Sequence, residues 1–269
     1  MLKKIQATAS FIKERIENEP EVGIILGTGL GGLATKIQVE KELEYTEIPN
    51  FPISTVEGHS GKLIFGKLGG KNVVAMKGRF HFYEGYNMGQ VTFPVRVMKM
   101  LGVKTLFVSN ASGGMNPEFE IGDLMIINDH INLLPNPLIG PNISELGPRF
   151  PDMSKPYDHK LMDIAEDIAK ELSIKVHRGC YVGTTGPTFE TPKEYQYFRI
   201  IGGDAVGMST VPEVIVARHM DIPVFAMSII TDLGVPGKIV EVSHEEVQVV
   251  GQKAEVKMTQ IMTKLLERL

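Results

Sequence analysis

The chain has 269 residues, 43% of them hydrophobic and 22% charged, with a net charge of −4 and a single cysteine. That composition belongs to an ordinary globular protein, long enough to bury about 70–75% of its unfolded surface without disulfide staples. The acidic balance excludes the basic face that nucleic-acid or membrane-surface binding needs, and the lone Cys180 excludes a disulfide framework or a Cys-x-x-Cys metal or redox pair.

The opening Met-Leu-Lys-Lys-Ile-Gln reads as the start of an amphipathic helix over 3–17, ending before Pro20, and not as a secretory h-region. No apolar run reaches the roughly 20 residues that span a bilayer, so a cytoplasmic protein is expected. An apolar strand at 22–26 feeds the glycine-rich stretch Gly27-Thr-Gly-Leu-Gly-Gly32. Apolar segments at 63–65 and 73–76 flank Gly66-Lys-Leu-Gly-Gly70, which predicts a hairpin. A helical pattern covers 91–101, followed by a strand at 105–108 and a second glycine-bearing loop, Asn110-Ala-Ser-Gly-Gly114.

Another strand is predicted at 124–127. From 135 to 156 there are six prolines, which predicts a long ordered loop or a contact surface, since plain connections are shorter. Helices are predicted at 160–171, 193–199, 211–220 and 245–269, with strands at 176–182, 205–207 and 224–230 between them. Strand and helix alternate without a linker-like break. The expectation is a single α/β domain over 1–269, with a central mixed β-sheet flanked by helices.

Gly27, Gly29 and Gly32 fit G-x-G-x-x-G after an apolar strand, the dinucleotide-binding pattern of an NAD-dependent oxidoreductase. That pattern also needs a well-formed helix and an apolar second strand ending in an acidic residue. Here the would-be helix carries Gly31 and Gly32, and Gln38-Val-Glu-Lys-Glu-Leu-Glu44 is no apolar strand. Two other readings stand beside it: a tight structural turn, or a loop whose backbone N–H groups and Thr28 hydroxyl hold a small anion such as phosphate.

Elsewhere the chain carries groups suited to an anion. Arg79 and His81 are two apart, on one side of the chain if it is extended. His59 stands in the glycine-flanked Glu57-Gly-His-Ser-Gly61, where a side chain is displayed more than packed. The seven histidines show no metal-ligand spacing, so no metal site is expected. Cys180 reads as part of a buried strand and not as a nucleophile. Asp129-His130 reads as organising a strand end, Glu245-Glu246 as the acidic first turn of the last helix, and Met98, Met100 and Met258 as core or interface filler.

Nine motifs in order resemble the trimeric purine nucleoside phosphorylases. They are Gly27-Thr-Gly-Leu-Gly31, Glu57-Gly-His-Ser-Gly61, Gly78-Arg-Phe-His-Phe-Tyr-Glu-Gly85, Asn110-Ala-Ser-Gly-Gly-Met-Asn-Pro117, Asp129-His-Ile-Asn-Leu133, Arg149-Phe-Pro-Asp-Met153, Gly186-Pro-Thr-Phe-Glu-Thr191, Val206-Gly-Met-Ser-Thr-Val-Pro-Glu213 and Ser243-His-Glu-Glu-Val247. The resemblance implies a nucleoside phosphorylase-like, partly barrel-like sheet and a pentosyltransferase acting in purine salvage. It implies no cofactor, with inorganic phosphate as co-substrate, and a homotrimer.

By that resemblance Thr28, Arg79, His81 and Ser209 hold phosphate with side-chain donors, Ala111 through its backbone N–H, with His59 beside them. Tyr83 and Met208 line the ribose, and His244 meets its 5′-hydroxyl. Phe189 and Glu190 take the purine, and Phe150 reaches into a neighbouring subunit's ribose pocket. His81, Glu190 and Asp232 are the implied catalytic groups. The implied reaction is phosphorolysis of a purine ribo- or deoxyribonucleoside, inosine or guanosine foremost. Asp232 departs from the asparagine of members that prefer 6-oxopurines. A carboxylate can only accept, which leaves methylthioadenosine or broadened adenosine use as the alternative.

Overall fold

The computed structural model describes residues 1–27, 31–53 and 61–269. Helix α1 (Leu2–Lys13) buries Ile5, Ala9 and Ile12 at helical spacing. It stops four residues short of the expected end. There Arg15 turns back, donating from Nη1 to the Phe11 carbonyl at 2.7 Å with its guanidinium 3.5 Å over the Phe11 ring.

Strand β1 (Val22–Leu26) is buried at every position, as a parallel strand covered on both faces should be. The next strand, β2 (Gln38–Glu44), was not expected from the sequence. Only Leu43 of it is buried. It forms the sheet's charged edge, where Glu42 meets Lys62 at 2.6 Å, and charge on an edge discourages pairing with other chains. The predicted hairpin is present and longer, β3 (Lys62–Leu68) with β4 (Lys71–Lys77), turning on Gly69 and Gly70 at positive φ.

Helices α2 (Met88–Val91) and α3 (Phe93–Leu101) lead into β5 (Thr105–Gly114). The stretch 110–114, expected to be a loop, is instead the second half of β5, laddered to its neighbours. Its small residues have low strand propensity, but other chain segments approach them closely. A Cβ on Gly113 would lie 2.9 Å from Asp232 Oδ2. Strand β6 (Leu124–Asn132) runs five residues past its expected end, and the remaining elements agree with expectation within three residues: α4 (His159–Glu171), β7 (Val176–Gly183), α5 (Pro192–Ile200), β8 (Ala205–Gly207), α6 (Val211–His219), β9 (Val224–Leu233) and α7 (His244–Glu267). Ser243 and Glu246 cap α7 reciprocally, with Glu245 and Glu246 in its first turn.

The strand order is β2-β3-β4-β1-β5-β8-β7-β6-β9, and β9 returns to pair with β5. The sheet is mixed, and its second half closes into a ring of five strands, as the barrel-like expectation had it. Strands β4, β1, β5 and β9 run parallel, so their C-terminal ends open on one side, where ligands of α/β sheets bind.

Candidate active site

A cavity of about 340 Å³ opens at those ends, within the range of small-molecule sites. Gly27 reaches it from the end of β1, Arg79 and His81 from beyond β4, Ala111 from β5, Ser209 from beyond β8 and Asp232 from the end of β9. Tyr83, Met208, Phe189, Glu190 and His244 complete the sequence-derived set around it. Thr28 and His59 lie outside the described residues. Phe150 is not in this cavity; it is 87% exposed on an outer face.

Arg79 is 1% exposed. Its Nε donates to Glu213 Oε1 at 3.1 Å, and Nη1 donates to the Ser109 carbonyl at 2.8 Å and to Ser209 Oγ at 3.2 Å. Nη2 is 3.0 Å from Glu213 Oε1 but too bent for a hydrogen bond, so it keeps donor capacity without an acceptor among the described residues. A buried cation held by one carboxylate, beside a serine hydroxyl, is suited to a second anion. His81 is oriented by Glu84, whose Oε1 is 3.1 Å from Nδ1 and accepts from the His81 backbone N–H at 2.7 Å. The Tyr83 ring stacks on it at 4.7 Å.

Asn110 opens one of the nine motifs, yet the sequence suggests no role for it. Its Nδ2 donates to Thr210 Oγ1 at 2.8 Å and its Oδ1 accepts from Ser228 Oγ at 2.6 Å. This ties β5 and β9 to Thr210, whose φ of 68° is strained for a threonine. The strained turn presents Ser209 to Arg79.

The other polar cluster is acidic. Asp232 is 6% exposed, accepting from Tyr195 Oη at 2.9 Å on Oδ2 and from Thr231 Oγ1 at 3.0 Å on Oδ1. Burial raises its carboxyl above the usual range, against those two hydrogen bonds. It lines the cavity and makes no ion pair among the described residues. Burial, reinforced by the Asp232 charge, pushes Glu190 up to about 7. Both carboxyls and Phe189 also border an adjoining cavity of about 230 Å³ walled by Ile239, Val240 and Val242. Tyr195 and Glu213 were missed in the sequence, having no local signal there.

The third glycine of the fingerprint decides one reading. The N–H groups of Gly32 and Leu33, where a dinucleotide's pyrophosphate would dock, donate to the chain's own Glu255 at 2.5 and 3.2 Å. In place of a long helix, the chain here makes a single turn, Leu33–Lys36. No cluster of three potential metal ligands exists among the described residues. Cys180, in β7, has its thiol pushed up to about 11 by burial and by Asp129 and Asp204, which suits an inert thiol. His130 meets Tyr157 Oη at 3.1 Å, away from the cavity.

The phosphorylase superfamily profile matches residues 21–267. Purine nucleoside phosphorylase 1 of Bacillus subtilis is 54% identical over 254 residues, covering 94% of each chain. The purine nucleoside phosphorylase of Rattus norvegicus is 48% identical over 270 residues, 97% of this chain and 93% of the rat protein. The crystal structure of Schistosoma mansoni purine nucleoside phosphorylase in complex with adenosine matches with a TM-score of 0.95 and 44% identity, over 100% of this chain and 98% of that one.

Proposed function

The chain belongs to the phosphorylase superfamily, as a pentosyltransferase that splits purine nucleosides with phosphate, and from that premise we propose how its residues divide the work. Arg79, His81, Ser209 and the Ala111 N–H, with Thr28 and His59, hold inorganic phosphate, the co-substrate; the reaction needs no metal or organic cofactor. Tyr83, Met208 and His244 line the ribose. Phe189 stacks on the purine, and Glu190 takes its N1–H, which makes inosine and guanosine the leading substrates. Purine salvage is the setting.

The observation that carries this is the convergence on one cavity of a buried, anion-seeking Arg79 with a carboxyl pair, Glu190 and Asp232. Glycosidic cleavage passes through an oxocarbenium-like state. Phosphate facing C1′ stabilises the cationic sugar and attacks from the side opposite the base, so the configuration inverts. The base leaves with the electron pair of the C1′–N9 bond, gathering charge toward N7. Asp232 stands at that end of the base, where a proton on its carboxyl lets it donate to N7 and the ionised form accepts instead. The products are free purine and ribose 1-phosphate.

The exposed Phe150 and Ile139 of the proline-rich segment support a homotrimer in which Phe150 closes a neighbouring subunit's ribose pocket. No helix among the described residues is long and apolar enough to cross a membrane. The single, unpaired Cys180 supports a reducing compartment, the cytoplasm.

Incubation with inosine tests the reaction. Hypoxanthine should form only when phosphate is supplied, together with ribose 1-phosphate. Base release without phosphate would mean a hydrolase and would overturn the reading.

A further inference from the structure

Asp232 is bound to a residue with no part in the phosphorolysis just described. Tyr195 lies in the middle of α5, the helix that begins two residues after Glu190. Its start is fixed by Thr191 and Glu194 capping each other and by Pro192 in the first turn. The Tyr195 ring is 4% exposed and packs with Met115, Val182, Phe198 and Val206, so its hydroxyl has little freedom to leave Asp232.

The space for this pair depends on two missing side chains. A Cβ on Gly234 would come within 2.1 Å of the Tyr195 ring, and one on Gly113 would lie 2.9 Å from Asp232 Oδ2 and 3.2 Å from Tyr195 Oη. Both approaches are closer than real Cβ contacts allow, so the pair fits only because both positions are glycine.

The direction of the hydrogen bond is set by charge. Burial, then the neighbouring Asp232 and Glu190 carboxyls, push the Tyr195 phenol far above its ordinary value. The phenol therefore keeps its proton and is the donor. Oδ2 is then an acceptor in every state of the pair, and Oδ1 has the Thr231 hydroxyl at 3.0 Å. A carboxyl held by a donor on each oxygen cannot flip, and both donors favour its charged form.

We propose that Tyr195 is a positioning residue for base selection: by donating to Oδ2 it holds Asp232 as an acceptor for the exocyclic amino group of a 6-aminopurine, so that adenine nucleosides are substrates alongside the 6-oxopurines. This rests on the reading that Asp232 faces the base. An amino group brings the N–H that the carboxylate needs, whereas a 6-oxo group sets two acceptors against each other. Without the phenol, the buried Asp232 takes up a proton more readily and turns into a donor, which suits O6 or N7 of inosine and guanosine.

The test compares kcat/KM for adenosine and inosine in the wild type, Tyr195→Phe, Asp232→Asn and the double variant. Tyr195→Phe should lower the adenosine-to-inosine ratio about tenfold, the loss expected for one hydrogen bond to a charged acceptor. In the Asp232→Asn background the same change should leave the ratio unmoved. An equal loss on both substrates, as a merely structural role would give, overturns the proposal, and so does a shift that persists without the carboxylate.

Wild-type enzyme supplies a second readout that needs no variant to fold. N6,N6-dimethyladenosine, which lacks the amino hydrogens, should be cleaved at least tenfold less efficiently than adenosine. Equal turnover, or inosine turnover with adenosine refused, overturns this proposal alone. Failure to cleave any purine nucleoside overturns the underlying function as well.

Discussion

Arg79 and Glu213, each almost wholly buried, face each other at 3.0 Å across 134 residues of chain. The carboxylate aims the guanidinium and balances its charge, leaving Nη1 for the Ser109 carbonyl and Ser209 and Nη2, in the proposed reaction, for phosphate. Removing one partner strands a buried charge, which costs about 3–5 kcal/mol, whereas apolar replacement of both is often nearly neutral.

Arg79→Met should therefore lose both stability, by about that amount, and activity. Removal of one preorganised donor lowers kcat by about 10²–10³. Adding Glu213→Leu should restore most of the stability and none of the turnover. Urea unfolding alongside phosphate-dependent kinetics separates the two. Turnover recovering together with stability would mean that Arg79 serves the fold alone.

Glu190 predicts opposite pH responses for the two classes of purine. With its carboxyl lifted to about 7 by burial and by Asp232, and with Thr184, Tyr195 and Glu194 also around it, the ionised form prevails above that pH and the neutral acid below. A 6-oxopurine offers N1–H and needs the carboxylate, so kcat/KM for inosine should fall about tenfold per pH unit below 7. Adenine N1 is an acceptor and needs the acid, so adenosine should decline above 7.

The same lift has a sign for stability. The folded chain holds this proton to higher pH than the unfolded one, whose carboxyl titrates at about 4.3, so stability from this group declines as pH climbs between the two values. Glu190→Gln should remove the inflection near 7 from the rate profiles. An inflection that survives belongs to another group.

The parts of the site visible in the sequence are those whose signal is local. Arg79 and His81 stand two apart in an extended segment, and Gly27 ends an apolar strand; both features are legible without a partner. The pairs Arg79–Glu213 and Tyr195–Asp232 were not, because they are made by sheet order and helix placement between residues far apart in the chain. Local propensity also misjudged β2 and the second half of β5. The first is an edge strand whose solvent-facing residues are charged, so it lacks an apolar pattern. The second is built of Ser, Asn, Ala and Gly because neighbours press on it, so its composition imitates a loop.

Gly27 offers a test of such close approach. A Cβ there would lie 2.8 Å from both Asn110 Cα and the Ser109 carbonyl oxygen, and backbone has no side-chain rotamer by which to yield. Gly27→Ala should force β1 and β5 apart beside Ala111, costing about 1–3 kcal/mol of stability and raising the KM for phosphate. Gly31→Ala is the control, since among the described residues its Cβ would meet only Lys77 Cε, at 3.9 Å. Equal behaviour of the two variants in thermal melts and phosphate titrations would mean that backbone crowding does not select glycine at 27.

Phe150 is the sharpest test of assembly. An aromatic ring 87% exposed, beside Arg149 and the 79% exposed Ile139, offers apolar surface that another subunit can cover. Light scattering should give three times the 29.7 kDa chain mass. Phe150→Ala should raise the nucleoside KM about 30-fold, the worth of burying such a ring at about 2 kcal/mol, while leaving the unfolding midpoint of the chain and the KM for phosphate nearly unchanged. Because the ring would serve a neighbour's pocket, Phe150→Ala chains co-assembled with inactive Arg79→Met chains should regain activity. The inactive chains donate intact Phe150 rings to pockets whose Arg79 is present. No gain on co-assembly, with trimers formed, would mean that Phe150 acts within its own subunit or not at all.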